Sequence, residues 1–350
     1  MRIKIGDKFV GEGAPFYTVA EIGSNFDGNI DRARMLVDLA KDCGADAVKF
    51  QTFTAKKLVS DEGFKDLKVG YQAEWKESVT EMYSRAELPR QWHKELFEYA
   101  KSRGLAFFSS PYDKEGVDLL EELDVPAYKI GSGDLTWLEM IEYIAKKGKP
   151  VFVATGASTL EEVDQAIKTI KEAGNDQIVI LQCVTNYPSS FENINLRVLD
   201  LYKKRYGSLV GYSDHTPGSM VAIGTVALGG CMIEKHFTDD KTRNGPDHPF
   251  AMDGADFRKM VDDIRLMEKM LGKAVREVYD EEKAQYVSMK RGIRASRNIS
   301  AGTPITREMI EVLRPCGPRD FKASEISLAV GRVTKRDIKK GDALHRDDIE

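Results

Sequence analysis

Only four of the 350 residues are cysteine, at positions 43, 183, 231 and 316, and no two form a CxxC pair. That excludes a disulfide framework and a zinc knuckle, and it fits a reducing compartment. No apolar run approaches the ~18 residues that a membrane span requires. The opening MRIKIGDKF has no apolar signal-peptide core, so the expected location is the cytoplasm. No GxGxxG turn follows the first strand-like run, YTVAEIGSN, which removes the usual dinucleotide-binding form of an open α/β sheet. A strong charge excess is missing too: the net charge is −4, with 42% apolar and 31% charged residues, the composition of an ordinary globular protein. The charge is uneven, however. From Ser288 onward there are 14 Lys+Arg against 9 Asp+Glu, a net of +5, which leaves −9 on the first 287 residues. Acids interrupt the basic residues of that tail. Docking on an acidic body, or closing over an anionic ligand, therefore suits it better than nucleic-acid binding.

What the chain has in plenty is one repeated theme: a short apolar run ending in small and polar residues, then an amphipathic helix. Strands are expected to begin near Val19, Val48, Ala106, Tyr128, Val151, Val179, Val210 and Ile233. Continuous apolar runs mean strands covered on both faces. Eight alternating units in about 270 residues predict a (β/α)8 barrel, with a doubly wound open sheet as the alternative. The segment Ala55 to Ser84 is less regular. A helix ending near Leu271–Gly272 closes the barrel domain, placed at 1–275, and a polar linker covers 276–287. The tail, 288–350, contains a near-repeat: RNISAGTPITREMI, from Arg297, returns 39 residues later as RDIKKGDALHRDDI. Each copy reads as strand, Gly turn and short capped helix, so the tail is a small pseudo-symmetric α+β domain.

The chemistry concentrates between Gly211 and Phe250. His215 and His236 each end a strand-like run, and the helix between the runs is rich in Ala and Gly. Parallel strands bring such ends side by side. Two neutral imidazoles there could bind a divalent metal with open positions, or they could be hydrogen-bonded core histidines. Other expected strand ends carry Glu21; Lys49 and Gln51; Ser110; Lys129, Ser132 and Asp134; Thr185 and Tyr187; Ser213; and Asp247. Lys49 and Lys129 lie inside apolar strands, where an unpaired ammonium costs several kcal/mol. They need an anion, and the neighbouring serines and GSGD turn complete a phosphate or carboxylate cradle.

The segments AEIGSNFDG, AVKFQTF, YKIGSGD, LQCVTNYP, GYSDHTPG and EKHFTDDKTRNGPDH, followed by the basic tail, resemble the sialic acid synthase family over nearly the whole chain. The resemblance implies a (β/α)8 barrel followed by an antifreeze-like (SAF) domain. The implied reaction condenses phosphoenolpyruvate with an N-acetylated hexose, N-acetylmannosamine or a diacetamido relative. It releases phosphate by C–O cleavage in a domain-swapped homodimer that uses Mn2+ or Mg2+. By the same resemblance His215 and His236 would be the metal ligands. Lys49, Ser110, Lys129, Ser132 and Ser213 would hold phosphoenolpyruvate. Glu21, Gln51, Asp134, Tyr187 and Asp247 would hold the sugar, and Arg314 of the tail would reach its acylamino group from the partner subunit. Glu21 is also the expected handler of a proton or a water. The chain departs from the family's pattern in four places. The usual NHxG is Asn25-Phe26-Asp27-Gly28, Asp134 stands where Glu is common, Ala154 replaces a Ser, and Thr185 replaces an Asn.

Two other functions compete. A Schiff-base aldolase would use Lys49, Lys129 or Lys235 as nucleophile. A non-enzymatic carbohydrate-binding protein would leave the barrel lysines without a purpose.

Overall fold

Eight parallel strands close into a barrel in the computed structural model, which describes residues 1–67 and 77–350. The chain first makes a hairpin, β1 (Arg2–Ile5) and β2 (Lys8–Gly11). The barrel strands follow: β3 (Tyr17–Glu21), β4 (Ala47–Thr52), β5 (Ala106–Pro111), β6 (Tyr128–Ile130), β7 (Val151–Ala154), β8 (Ile178–Cys183), β9 (Leu209–Asp214) and β10 (Met232–His236). All eight lie where the apolar runs predict them. β10 pairs with β3 and shuts the ring, with His236 beside Glu21 and Glu21 beside Lys49. The open-sheet alternative is thereby excluded.

Helices α1 (Ile30–Asp42), α2 (Ala55–Leu58), α3 (Asp61–Phe64), α4 (Val79–Ala86), α5 (His93–Ser102), α6 (Lys114–Glu122), α7 (Leu138–Ala145), α8 (Leu160–Glu172), α9 (Val198–Tyr206), α10 (Met220–Ala227) and α11 (Gly254–Leu271) alternate with the strands. Their starts follow from local chemistry. Asn29 caps α1 by accepting from the Arg32 amide, and Thr159 with Glu162 forms a reciprocal capping box on α8. In α8 the apolar stripe Val163, Ala166, Ile167 and Ile170 is buried against the barrel. Among its described residues the irregular segment after β4 contains three short helices, α2 to α4; part of it lies outside the described residues. Among the described residues no helix is long and apolar enough to cross a membrane.

Strand parity sorts the side chains. Residues pointing outward, such as Val48, Phe50, Val153, Ile180 and Ile233, join the helices in the main core. Residues pointing inward change character with depth. At the N-terminal end of the strands Tyr17, Val19, Ala47, Phe108, Ala127, Phe152, Val179, Leu181 and Met232 pack into a second apolar cluster. Ile3, Ile5 and Val10 of the N-terminal hairpin join it and plug that end. Further along most strands the next inward residue is polar: Glu21, Lys49, Ser110, Lys129, Ser213 and Glu234.

The chain divides into two compact units, Met1–Gly272 and Lys273–Glu350. The stretch expected as a linker belongs to the second unit and carries α12 (Lys283–Ser288). That unit also contains β11 (Gly292–Ala295), β12 (Ile310–Leu313), α13 (Ile326–Ala329) and its own apolar core, which includes Ile293, Ile299 and Phe321. The near-repeat is a structural dyad. Ile299 and Ile338, equivalent positions 39 apart, exchange backbone hydrogen bonds of 2.9 and 2.8 Å. The bridges Arg294–Ala343 and Pro304–Val333 are images of each other in the same way. The copies are leaner than the repeat suggests. Their extended parts meet as isolated bridges, and their helices are single 3-10 turns at Arg307–Met309 and Arg346–Asp348. All four cysteines are free and buried.

Candidate active site

The strands' C-terminal ends open into a cavity of about 480 Å3. Of the expected site residues it is lined by Glu21, Lys49, Gln51, Ser110, Lys129, Ser132, Asp134, Tyr187, Ser213, His215, His236 and Asp247. Arg314 belongs to the second unit, where it is exposed just past β12. The site therefore gathers from seven barrel strands and the loops that follow them, as the barrel architecture predicts.

Its floor is an ionic layer. Lys129 Nζ lies 2.7 and 2.8 Å from the two carboxylate oxygens of Glu234. Lys49 Nζ is 2.8 Å from Glu21 and 3.7 Å from Glu234, and it reaches Ser110 Oγ at 3.4 Å. Ser213 donates to Glu234 at 3.2 Å, and Gln51 donates to Glu21 at 2.8 Å. Part of the anion that the lysines require is thus supplied by the chain itself. Glu234 was missed in the sequence. Two signals pointed to it: it sits two residues before His236, on the same side of the strand, and it is the one acid in that apolar run.

Burial and pairing divide the charges. Burial alone would raise Glu234, but Lys129 and Lys49 hold it down at about 2. Burial raises Glu21, and the neighbouring Glu234 adds to the rise against the opposing pull of Lys49. Lys49 stays above the ordinary ammonium value because Glu21 and Glu234 outweigh its burial, whereas burial and the charge of Lys49 draw Lys129 down. Of the two acids, Glu21 is therefore the one poised to accept a proton.

Above this layer stand the two imidazoles, with ring centroids 5.5 Å apart. His215 Nδ1 is 2.9 Å from the Val184 carbonyl. A proton on Nδ1 makes that bond and leaves the Nε2 lone pair available, the arrangement that fixes metal-ligating histidines. Burial, followed by the charge His215 would carry if protonated and by Lys49, Lys129 and Lys235, drives His236 well below the usual imidazole value, so it is neutral. Its buried Nδ1 has no hydrogen-bond partner, and Asp247 lies 3.6 Å away. An orphaned nitrogen beside a second oriented imidazole fits a divalent cation. Among the described residues no group of three or more His, Cys, Asp or Glu is arranged to hold one. The protein would supply two nitrogens, and substrate or water the remaining ligands. Tyr187 packs on His215 at 4.1 Å, and Phe250 lies 4.9 Å from His236. Together they wall the pair with aromatic surface.

The loops that carry these groups are tied down. Asp247 accepts from Ser24 Oγ at 3.4 Å. The next residue, His248, is fully buried between Thr238 Oγ1 (2.7 Å) and Asp27 Oδ1 (2.9 Å), joining the loop after β10 to the loop after β3. Gly156 explains another close approach. Its amide binds Ser132 Oγ at 3.0 Å, and a Cβ there would stand 2.9 Å from that oxygen, 3.1 Å from Cys183 Sγ and closer still to Thr185 Oγ1. The departure at Phe26 is removed from the chemistry: the ring is fully buried against Phe50 and Trp92 and does not line the cavity. Lys235 faces the helices rather than the cavity, where Asp214 (2.9 Å) and the Thr216 carbonyl hold it. Its use as a nucleophile is excluded on placement.

Comparison with known proteins agrees with the barrel and with the domain that follows it. The NeuB family model matches residues 36–276, and the SAF domain model matches 290–350. The chain is 39% identical to the uncharacterized protein MJ1065 of Methanocaldococcus jannaschii, over 99% of this chain and 98% of the relative. It is 34% identical to the N,N'-diacetyllegionaminic acid synthase of Campylobacter jejuni, over 93% and 98% of the two chains. The crystal structure of the N-acetylneuraminic acid (sialic acid) synthetase of Leptospira borgpetersenii superposes with a TM-score of 0.72 at 27% identity, covering 81% of this chain and 95% of that one. Since the NeuB model spans residues 36–276 and the SAF model nearly all that follows, the chain belongs to the NeuB, or sialic acid synthase, family of enzymes.

Proposed function

We propose that this enzyme condenses phosphoenolpyruvate with the open-chain form of an N-acylated hexose, giving a nine-carbon keto acid and inorganic phosphate. One observation carries the reading: a buried Lys49–Glu234–Lys129 layer directly beneath His215 and His236. The lysines, with Ser110, Ser132 and Ser213, offer the phosphate and carboxylate of phosphoenolpyruvate charged and neutral donors at the inner end of the cavity. Glu21 can yield Lys49 to the substrate by taking a proton on its carboxylate, because burial and Glu234 already favour its neutral form. Glu234, held ionised, keeps Lys129 oriented throughout. The same Glu21 proton is then within reach of a sugar oxygen, while Gln51 and Asp247 fix the sugar's hydroxyls. A divalent ion such as Mn2+ or Mg2+, when bound by His215 and His236, would polarise the aldehyde oxygen.

The test follows atoms. In water labelled in its oxygen, C–O cleavage puts label at carbon 2 of the keto acid, trapped promptly, and none in phosphate. Label in phosphate would refute the reaction. A Schiff base on Lys129 is disfavoured by its double contact with Glu234, and borohydride with pyruvate should leave the protein unmodified.

Arg314 and the +5 tail support a domain-swapped homodimer in which Arg314 binds the acylamino group in the neighbouring barrel. Mixing inactive His236→Ala and Arg314→Ala subunits, with exchange verified, should restore part of the activity. A tail that serves its own barrel restores none.

A further inference from the structure

Lys235 is as deeply buried as Lys49 and Lys129, yet it faces away from the cavity and takes no part in the reaction described above. It stands on β10 directly before His236, and Asp214 stands on β9 directly before His215. The two are register partners across the β9–β10 pair. Their ion pair of 2.9 Å therefore ties together the positions next to both imidazoles. The rest of the ammonium goes to the same turn. It donates to the Thr216 carbonyl, and to the Gly218 carbonyl at 3.2 Å. Asp214 closes the turn from inside by accepting from the Thr216 amide at 2.9 Å. An ammonium has three donors, and here all three contacts fall on residues 214–218, with His215 among them.

A buried ion pair adds little stability over neutral side chains of the same size, because desolvation offsets the attraction. What this one adds is direction. The Val184 carbonyl sets how the His215 ring is turned, but it leaves open where the turn as a whole sits relative to β10. Lys235 fixes that, since it reaches the turn from β10 itself. Metal-ligating imidazoles depend on such outer partners, whose loss weakens the metal rather than the fold. Resting on the divalent ion proposed above, we infer that Lys235 is a positioning residue for that ion: through Asp214 and the 214–218 turn it sets the spacing of His215 and His236, while touching neither ion nor substrate.

Mn2+ binding to the full-length protein, read from the loss of the free-ion signal in electron paramagnetic resonance, tests this without turnover. A double variant, Lys235→Met with Asp214→Asn, removes the tether and leaves no buried charge unpaired, so its thermal midpoint should stay near that of the wild type. Its Kd for Mn2+ should rise about 10- to 100-fold, while its Kd for phosphoenolpyruvate, measured with chelator present, stays as in the wild type. An unchanged Kd for Mn2+ overturns the inference. So does an equal loss of phosphoenolpyruvate binding, which marks a general collapse of the barrel mouth. Should the double variant fail to fold, Asp214→Asn alone takes its place. It keeps the ammonium but turns one of its acceptors into a donor, and about a ten-fold weaker Kd for Mn2+ is expected; an unchanged Kd again overturns the inference. In these failures the wild type still binds Mn2+ and the reaction stands. Wild-type protein that binds no Mn2+, or a His236→Ala variant that binds it equally well, refutes the metal reading itself, and the inference with it.

Discussion

The two ends of the barrel interior are built on the same eight strands and behave as opposites. At the plugged end Phe108 and Phe152 stack edge to face at 5.0 Å among aliphatic side chains, and the hairpin seals them from water. At the open end two ammoniums, two carboxylates and two imidazoles replace them at similar burial. Apolar packing of that kind is a source of stability. A buried ionic layer is at best neutral against an apolar replacement and is costly when one partner is lost. The molecule therefore keeps its stabilising contacts and its chemical ones a few residues apart on the same strands.

Substitutions at the two ends should separate these roles. The largest effect is expected from His236→Ala: kcat/KM should fall by about a thousand-fold or more, the scale of losing a charge-stabilising group, with the thermal midpoint barely moved. A fall in midpoint that accounts for the lost activity would erase the contrast. Next comes Phe108→Ala, which should cost about 3–5 kcal/mol of stability in a denaturant titration, while the fraction that remains folded keeps its kcat. If kcat collapses instead, the plug participates in the chemistry. The smallest effect is graded by pH. Burial raises Asp134 to about 6, against about 3.9 in an unfolded chain. The native state therefore holds this proton more tightly, and Asp134 favours folding below about pH 4. That contribution is lost as the pH rises through about 6. Asp134→Asn should flatten this slope and raise stability above pH 6 by about 2–3 kcal/mol, read from thermal midpoints at pH 4 and pH 8. An unchanged slope would mean that Asp134 is better solvated than its surroundings indicate.

The eight strands were legible because doubly covered parallel strands appear as unbroken apolar runs, and each run stops where the polar layer starts. Lys49 and Lys129 announced themselves as charges inside such runs. The N-terminal hairpin gave no comparable signal: its strands have four residues each, are partly exposed, and hold too few apolar positions to stand out. Glu234 was hidden by its neighbours, since a Lys and a His following it resemble a surface cluster until strand parity separates them. Phe250 and Gly156 could not have been found, because their roles depend on which loops meet above the barrel. Phe26 carried the opposite lesson. It departs from a recognisable motif, yet the ring simply faces the core.

The alternation along β10 acts as a depth gauge. Met232 marks the plug, Glu234 the ionic floor and His236 the mouth, at intervals of about 6.6 Å, while Ile233 and Lys235 face the helices. Deleting one residue within such a strand would shift its height by half an interval and also exchange inside for outside, bringing Lys235 into the cavity and sending Glu234 into the helical layer. A change of chain length is therefore tolerated not within such a strand but in the loops. New acceptor preferences can arise there by lengthening or shortening a turn, whereas the strand segments must change by substitution, one position at a time.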